Sequence, residues 1–559
     1  MTLARKLLQM LKDEGAKQVW GIPGDFILPF FREMEQSDIL PVYSLSHEPS
    51  VAFAADASGR LEDGIGVLAV TYGAGALNTV NAVAQAYAER SPLVVLAGMP
   101  SQSELDMGLK LHHQVKSIDS QALIFNEITC AQVRLDDVSH ALDNIAKVLN
   151  YCKEMSQPVL IEIPRNMATE LCDEGPARLP ILEVEHTATD KCIEDFQQIL
   201  AAATRPVVIV GVEVKRYDLE GIFCDWLKRL GIPCFSTLMG KGIAAEHDNS
   251  PVSGTYLGEA GDPDIAAIVE QSDLVIVVGA ILSDSNFAIS AQTIAGRQSV
   301  FIQHREVNFG HYSYHGIALK TILTQLCHVA ESKKWAMHLP HHQASKPVLI
   351  HDRDVIAPMM IATMLNECFQ RYGKLPVASD VGDCLFVSQG LAHTSVVAPG
   401  YYASMGFGVP AGFGIQATTG RRPIILVGDG AFQMTGMELG HCRRYGFTPI
   451  VVLLNNQGWE MIRAFSPDSQ AADLGHWQFA QMAAILGGRG LTASTPSELQ
   501  HALNSAFEDT SQFYLIDVQI PKGVRTPSLD HFAKVLTQKQ KMVRILMHRD
   551  HLILSKPIT

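Results

Sequence analysis

No apolar run in this chain of 559 residues approaches the ~20 residues needed to cross a bilayer as a helix. That argues against a membrane-spanning protein. There is no basic cluster either, and the formal net charge is −14, which weighs against nucleic acid and anionic membrane as main partners. The ten cysteines are scattered without one C-x-x-C pair, and a reduced, cytoplasmic setting is the simplest account. The G-x-G-x-x-G spacing of dinucleotide sites is missing, low-complexity runs are few, and no short repeat is visible. What the chain does have is an apolar fraction of 47%, ample for large cores, and length enough for about three domains.

Short apolar runs alternate with helical patterns throughout. "GIGVLAVTYG", "PLVVLAG" and "PVLIEIP" suit strands buried on both faces, and "NTVNAVAQAYAER" suits a crossover helix between two of them. The opening "MTLARKLLQMLKDEG" spaces its apolar residues for an amphipathic surface helix rather than a signal peptide. Two charged or Pro-containing stretches read as linkers, one over about 172–190 and one over "KWAMHLPHHQASKPVLIHDRDVI". They divide the chain into three α/β blocks of similar architecture, which suggests duplicated domains.

The strongest chemical signal lies in the third block. Strand "PIILV" runs into Gly428, Asp429, Gly430 and Ala431 and then a helix. The next strand, "PIVVLL", ends in Asn455, Asn456, Gln457 and Gly458. This is one right-handed βαβ unit. It puts Asp429 and Asn456 at the C-terminal ends of parallel strands, where α/β sheets bind ligands. The glycines admit a phosphate close to the backbone, and the helix N-terminus favours an anion. The Asp429 carboxylate, the Asn456 amide oxygen, the Gly458 carbonyl, two phosphate oxygens and a water would suit octahedral Mg²⁺. Each motif alone is also an ordinary turn; the pair at this spacing is the signal.

"GDGAFQMTG…LLNNQGW" resembles the diphosphate and metal motif of thiamine-diphosphate enzymes. The resemblance extends over the whole chain in their domain order, and more narrowly to the 2-oxoacid decarboxylases, above all the indolepyruvate/phenylpyruvate decarboxylases. "GIPGDFILPFF", "LSHEPSVAFAADA", "TYGAGALNTVNAVAQAYAE" and "LHHQ" carry it. It implies an α/β fold of three doubly wound parallel-sheet domains: pyrimidine-binding (1–171), central (191–333) and diphosphate-binding (357–550). It also implies thiamine diphosphate and Mg²⁺ as cofactors, and a homodimer or dimer of dimers. The active site would then be shared, with Glu48 from one subunit and Asp429 and Asn456 from its partner.

The resemblance assigns further roles. Glu48 would set the protonation of the cofactor's pyrimidine, Met405 would wedge the cofactor into a bent shape, and the Ala403 carbonyl would face its 4′-amino group. Thr71, Asp383, Gly428, Gly430 and Ala431 would join Asp429 and Asn456 in holding it. Decarboxylation through a thiamine-diphosphate enamine needs no base, but the steps after it move protons near neutrality, which suits histidine. Asp25, His112 and His113 match the decarboxylases in this role.

One position departs from the family. Pyruvate decarboxylases carry a glutamate six residues after the second Asn, and this chain has Ile462. Glu460 is close by, but two residues along a helix turn a side chain by about 200°, away from Ile462. It reads as an N-terminal acid complementing the helix dipole. Leu385 stands where pyruvate decarboxylases carry tryptophan. With Met461, Ile462 and Phe465 it predicts an apolar pocket for a bulky aromatic or long or branched aliphatic 2-oxoacid, converted to aldehyde and CO₂. The rival readings are an acetolactate-synthase-like carboligase, a flavin-bearing oxidase and a non-catalytic binding protein.

Overall fold

The computed structural model describes residues 1–61, 64–172, 186–245, 250–283, 294, 298–328, 335, 354–392 and 394–538. Most of both expected linkers, and the expected third domain beyond residue 538, lie outside the described residues. The first linker is expected to run to 190, yet a helix already covers His186–Ala202.

Three sheets organise the chain. The first comprises β1 (Val19–Gly21), β2 (Val42–Tyr43), β3 (Gly66–Val70), β4 (Leu93–Met99), β5 (Ala131–Arg134) and β6 (Val159–Pro164). Its strands pair in the order β2-β1-β3-β4-β6-β5, all parallel. The second comprises β7 (Pro206–Val210), β8 (Cys234–Ser236), β9 (Val252–Thr255), β10 (Leu274–Val278), β11 (Ser299–Gln303), β12 (Glu306–Asn308) and β13 (Ser313–His315). The third comprises β14 (Val377–Ser379), β15 (Val396–Val397), β16 (Ile424–Gly428), β17 (Ile450–Asn455), β18 (Arg489–Ala493) and β19 (Tyr514–Gln519). Its order, β15-β14-β16-β17-β19-β18, repeats that of the first sheet strand for strand. The second sheet differs. It runs β13-β12-β11-β10-β7-β8-β9, and its β11–β12 and β12–β13 pairs are antiparallel. The duplication expected of three blocks therefore holds for two, and one sheet is mixed rather than purely parallel.

The apolar runs read as strands are buried as that reading requires: β3, β4, β7, β10 and β17 are buried along their whole length. The first helix, Leu3–Asp13, buries Leu3, Leu7, Leu8 and Leu11 on one face, and the Thr2 hydroxyl caps it by accepting from the Arg5 N–H. Among the described residues no helix is long and apolar enough to cross a membrane.

The first and third sheets meet through two helices with no polar stripe. Ser50–Gly59 of helix Glu48–Gly59 are all buried, and so are Gly408–Ile415 of helix Gly408–Thr419. Each follows the second strand of its sheet. They approach so closely that a Cβ at Gly414 would lie 2.5 Å from the Ala54 carbonyl oxygen.

Candidate functional site

Gly428 closes β16, and Asp429 opens the helix Asp429–Thr435. The neighbouring strand β17 ends at Asn455, with Gly428 in register against Leu454. Asp429 is buried, its Oδ1 accepting from the Gly430 N–H (2.9 Å) and its Oδ2 from the Gly458 N–H (2.8 Å). The two strand-end motifs are thus bonded to each other. Burial pushes the Asp429 carboxyl up to about 6, against the lowering pull of those N–H groups. Asn456 is buried too, and its Oδ1 has no hydrogen-bond partner among the described residues. An oxygen left bare at this depth, beside a carboxylate that burial has made reluctant to ionise, fits a hard divalent cation. Space is also present: a Cβ at Gly428 would meet nothing within 4 Å. Gly458, by contrast, is fixed by packing, since a Cβ there would lie 2.0 Å from an Arg463 guanidinium nitrogen.

The segment between β15 and helix Gly408–Thr419 carries Ala403 and Met405. Ala403 takes a left-handed backbone (φ 64°), and Gly406 follows at φ 83°. Met405 is half-buried against the large core between the first and third sheets. Asp380, just past β14, is fully buried and accepts from the N–H groups of Gly408 (2.8 Å) and Gly406 (3.3 Å). Sequence reasoning missed Asp380. The signal was there, an acid directly after the apolar strand "PVAS".

On the first sheet, Glu48 opens its helix and accepts from the Asn78 amide at 2.9 Å. Thr71, just past β3, has a buried hydroxyl with no partner among the described residues. Asp25, His112 and His113 come together as the sequence suggested, and one ligand atom from each lies within 4.8 Å of the others. His112 Nε2 lies 2.8 Å from Asp25 Oδ2, and Phe26 stacks on the His112 ring at 4.6 Å. Arg165, which sequence reasoning also missed, donates to the Asp25 carbonyl at 2.5 Å and lies 4.9 Å from the Phe26 ring centre.

His113 sits at φ 65° with Nδ1 3.2 Å from the Tyr72 carbonyl oxygen. A carbonyl only accepts, so Nδ1 carries the hydrogen and Nε2 is left free to take or give a proton. Gly73, at φ 60°, is required here: a Cβ would lie 2.2 Å from the His113 carbonyl oxygen. Its N–H donates to Gln121, which in turn donates to the buried Glu162.

The structure adds particulars at three places. Asp383 does not offer a free carboxylate: its Oδ1 accepts from the Thr526 hydroxyl at 2.5 Å and its Oδ2 from the Thr526 N–H at 3.0 Å. Glu460 opens its helix as an N-terminal acid and turns away from Ile462, as the sequence suggested, and it does more than complement the dipole. It is buried, accepting from Arg463 (3.0 Å) and Arg525 (2.8 Å). The four pocket residues also divide. Leu385 and Met461 pack with Leu238, Phe386, Leu529 and Phe532, whereas Ile462 and Phe465 are 45% and 40% exposed. Ile462 is turned by about 100° from Met461, and Phe465 is the last residue of the helix.

Comparison with known proteins bears on this arrangement. The family described as "Thiamine pyrophosphate enzyme, N-terminal TPP binding domain" matches residues 1–123, the corresponding central domain 193–319 and the C-terminal TPP binding domain 380–518. An "Indole-3-pyruvate decarboxylase" of Azospirillum brasilense is 46% identical over 537 residues, covering 96% of this chain and 98% of that protein. A "Pyruvate decarboxylase" of Kluyveromyces lactis is 26% identical, covering 93% of this chain and 96% of its own. "Pyruvate decarboxylase 1" of Pisum sativum is 27% identical, covering 88% and 84%.

Proposed function

Because this chain belongs to the thiamine-diphosphate-dependent 2-oxoacid decarboxylases, we propose that it decarboxylates a bulky hydrophobic 2-oxoacid of the indolepyruvate or phenylpyruvate kind, releasing CO₂ and the aldehyde. The observation that carries this is Ile462. An apolar, outward-facing side chain stands six residues beyond Asn456, with Phe465 beside it on the same face. Such a surface favours a large apolar substrate tail over pyruvate's methyl group. The higher identity to the protein named for indole-3-pyruvate than to those named for pyruvate supports the same choice.

In this reading Asp429, Asn456 and Gly458 hold Mg²⁺ and, through it, the diphosphate. Bound thiamine diphosphate supplies the electron sink that decarboxylation requires. Glu48, steadied by Asn78, holds a carboxylate toward the pyrimidine ring. His113 Nε2 and the Asp25–His112 pair move the protons that follow decarboxylation. Arg165 keeps Asp25 facing His112. His112 and Asp25 lie open to solvent on one chain and Glu48 is half-buried, while Met434 (52%) and Met437 (60%) are exposed on the third sheet's side. A second copy covering them as a homodimer would close the site, in a cytoplasmic setting.

The test is a turnover panel over pyruvate, phenylpyruvate, indolepyruvate and aliphatic 2-oxoacids of rising length, with product identification. The aromatic substrates should exceed pyruvate in kcat/KM by about 10–200-fold, the range an apolar pocket can supply. A preference for pyruvate would sink the substrate assignment. A 2-hydroxyketone in place of the aldehyde would favour the carboligase.

A further inference from the structure

Asp56, Arg60 and Glu89 form an ion triad with side chains 0–2% exposed, inside the face where the first sheet's helices meet the third sheet's. Arg60 grips both oxygens of Asp56 (2.8 and 2.7 Å) and one oxygen of Glu89 (2.6 Å). Taking three charges out of water is costly before pairing, and a triad of this kind is often no more stabilising than apolar packing. Two carboxylates on one guanidinium also leave a net negative charge. Arg216, which donates to the Arg60 carbonyl oxygen, offsets part of it, and further donors come from Gln85 and from the third sheet's side. Glu89 Oε1 accepts from the backbone N–H groups of Tyr401 (2.7 Å) and Tyr402 (2.8 Å). Gln85 donates to Asp56 (3.2 Å) while its own oxygen accepts from the Ser404 N–H (3.1 Å). Arg60 reaches the same segment through the Ala398 carbonyl oxygen (3.0 Å).

Of the four consecutive amides from Tyr401 to Ser404, three are therefore held by the side chains of Glu89 and Gln85, and the exception is Ala403. A left-handed alanine is strained and persists only where its surroundings over-determine it. Glu89 and Gln85 supply that constraint from one side, and Asp380 supplies it from the other through Gly406 and Gly408.

We propose that Glu89 and Gln85 are positioning residues. They hold Tyr401–Ser404 in the strained shape that directs the Ala403 carbonyl and Met405 toward the cofactor, coupling the burial of the Asp56–Arg60–Glu89 triad to cofactor geometry. This rests on the reading above, in which Ala403 and Met405 face thiamine diphosphate. Neither residue touches substrate or the reacting atoms.

The experiment compares Gln85→Leu and Glu89→Gln with the parent in four measurements. Deuterium exchange of the peptide spanning 400–406 is followed without cofactor. Thiamine diphosphate affinity is read by fluorescence, C2-proton exchange of the bound cofactor by quenched NMR, and kcat and KM on phenylpyruvate and indolepyruvate. Amides of 401–404 should exchange faster in both variants while exchange elsewhere is unchanged. C2 exchange and kcat should fall together, by up to about 10²-fold, the effect of a displacement near 1 Å. KM and cofactor affinity should move little, since substrate and diphosphate contacts are untouched. Faster loop exchange with parental kcat and C2 exchange would overturn the proposal. So would losses that only track the fraction of unfolded protein. If Glu89→Gln does not fold, Gln85→Leu decides, because it leaves Arg60 paired with both carboxylates. A parent that binds no thiamine diphosphate would instead overturn the functional reading itself.

Discussion

Asp429 gives the residue scale its clearest consequence. Its carboxyl rises from 3.8 to about 6 on folding because burial disfavours its charge, a shift corresponding to about 3 kcal/mol. A raised folded value means that the stabilising contribution is fully present below 3.8 and is lost as pH rises through 6. Cofactor-free protein should therefore unfold at a lower denaturant concentration at pH 7.5 than at pH 5.5, and Asp429→Asn should reduce that difference without abolishing it, because burial also pushes the Asp380 and Asp383 carboxyls up to about 6. Mg²⁺ requires the ionised carboxylate, so thiamine diphosphate and Mg²⁺ should bind more weakly as pH falls through 6. Calorimetric titration at the two pH values checks it, and equal affinities would remove Asp429 from the metal site. For the proton carriers, His113→Ala and Asp25→Asn should each lower kcat by about 10²–10⁴ at saturating cofactor. A loss confined to KM would make them binding residues instead. Asp429 and Asn456 were legible in the sequence because strand ends advertise themselves by an apolar run stopping at a polar residue. Glu89 was not, because an acid at the end of an amphipathic helix has the sequence signature of a solvated charge whether or not a buried arginine awaits it.

At the scale of elements, helix Glu460–Phe465 works as a rivet. Its inner acid, Glu460, takes Arg463 from its own turn and Arg525 from 65 residues downstream, and the Gly523 N–H lies 3.3 Å away. Glu460→Gln should cost about 3–5 kcal/mol, as removal of one partner from a buried pair does, and should expose the segment beyond Pro521 to limited proteolysis. Denaturant unfolding checks the first, and a cost below about 1 kcal/mol would leave Glu460 only the dipole-complementing role read from sequence. Helical periodicity told correctly which way Glu460 points relative to Ile462. It could not tell what lies on that side, because Arg525 is remote in the chain. The same limit explains Leu385 and Met461. Their apolar character was legible, but not that the chain's own Leu529 and Phe532 cover them. Strands were read more faithfully than contacts, since burial on both faces leaves an uninterrupted run of Val, Ile and Leu that needs no partner to be recognised.

At the scale of the whole molecule, the first and third sheets are clamped by helices Glu48–Gly59 and Gly408–Thr419, at a separation set by Gly414. Gly414→Leu should push the two sheets apart and destabilise the protein by at least about 1–3 kcal/mol, with an unfolding transition broader than the parent's. An unchanged midpoint would mean that the helices can slide. The two clamping helices occupy the same place in two sheets of identical strand order. Equivalent helix against equivalent helix is the contact that a twofold dimer of one small α/β unit would make with itself. The first and third sheets thus meet inside one chain as two copies of one topology would across a twofold axis, with the differently wound second sheet between them in sequence. The two units carry different chemistry at the ends of equivalent strands, Thr71 after the third strand of one and Asp429 after the third strand of the other. The equivalence rests on strand order, since no short sequence repeat is visible.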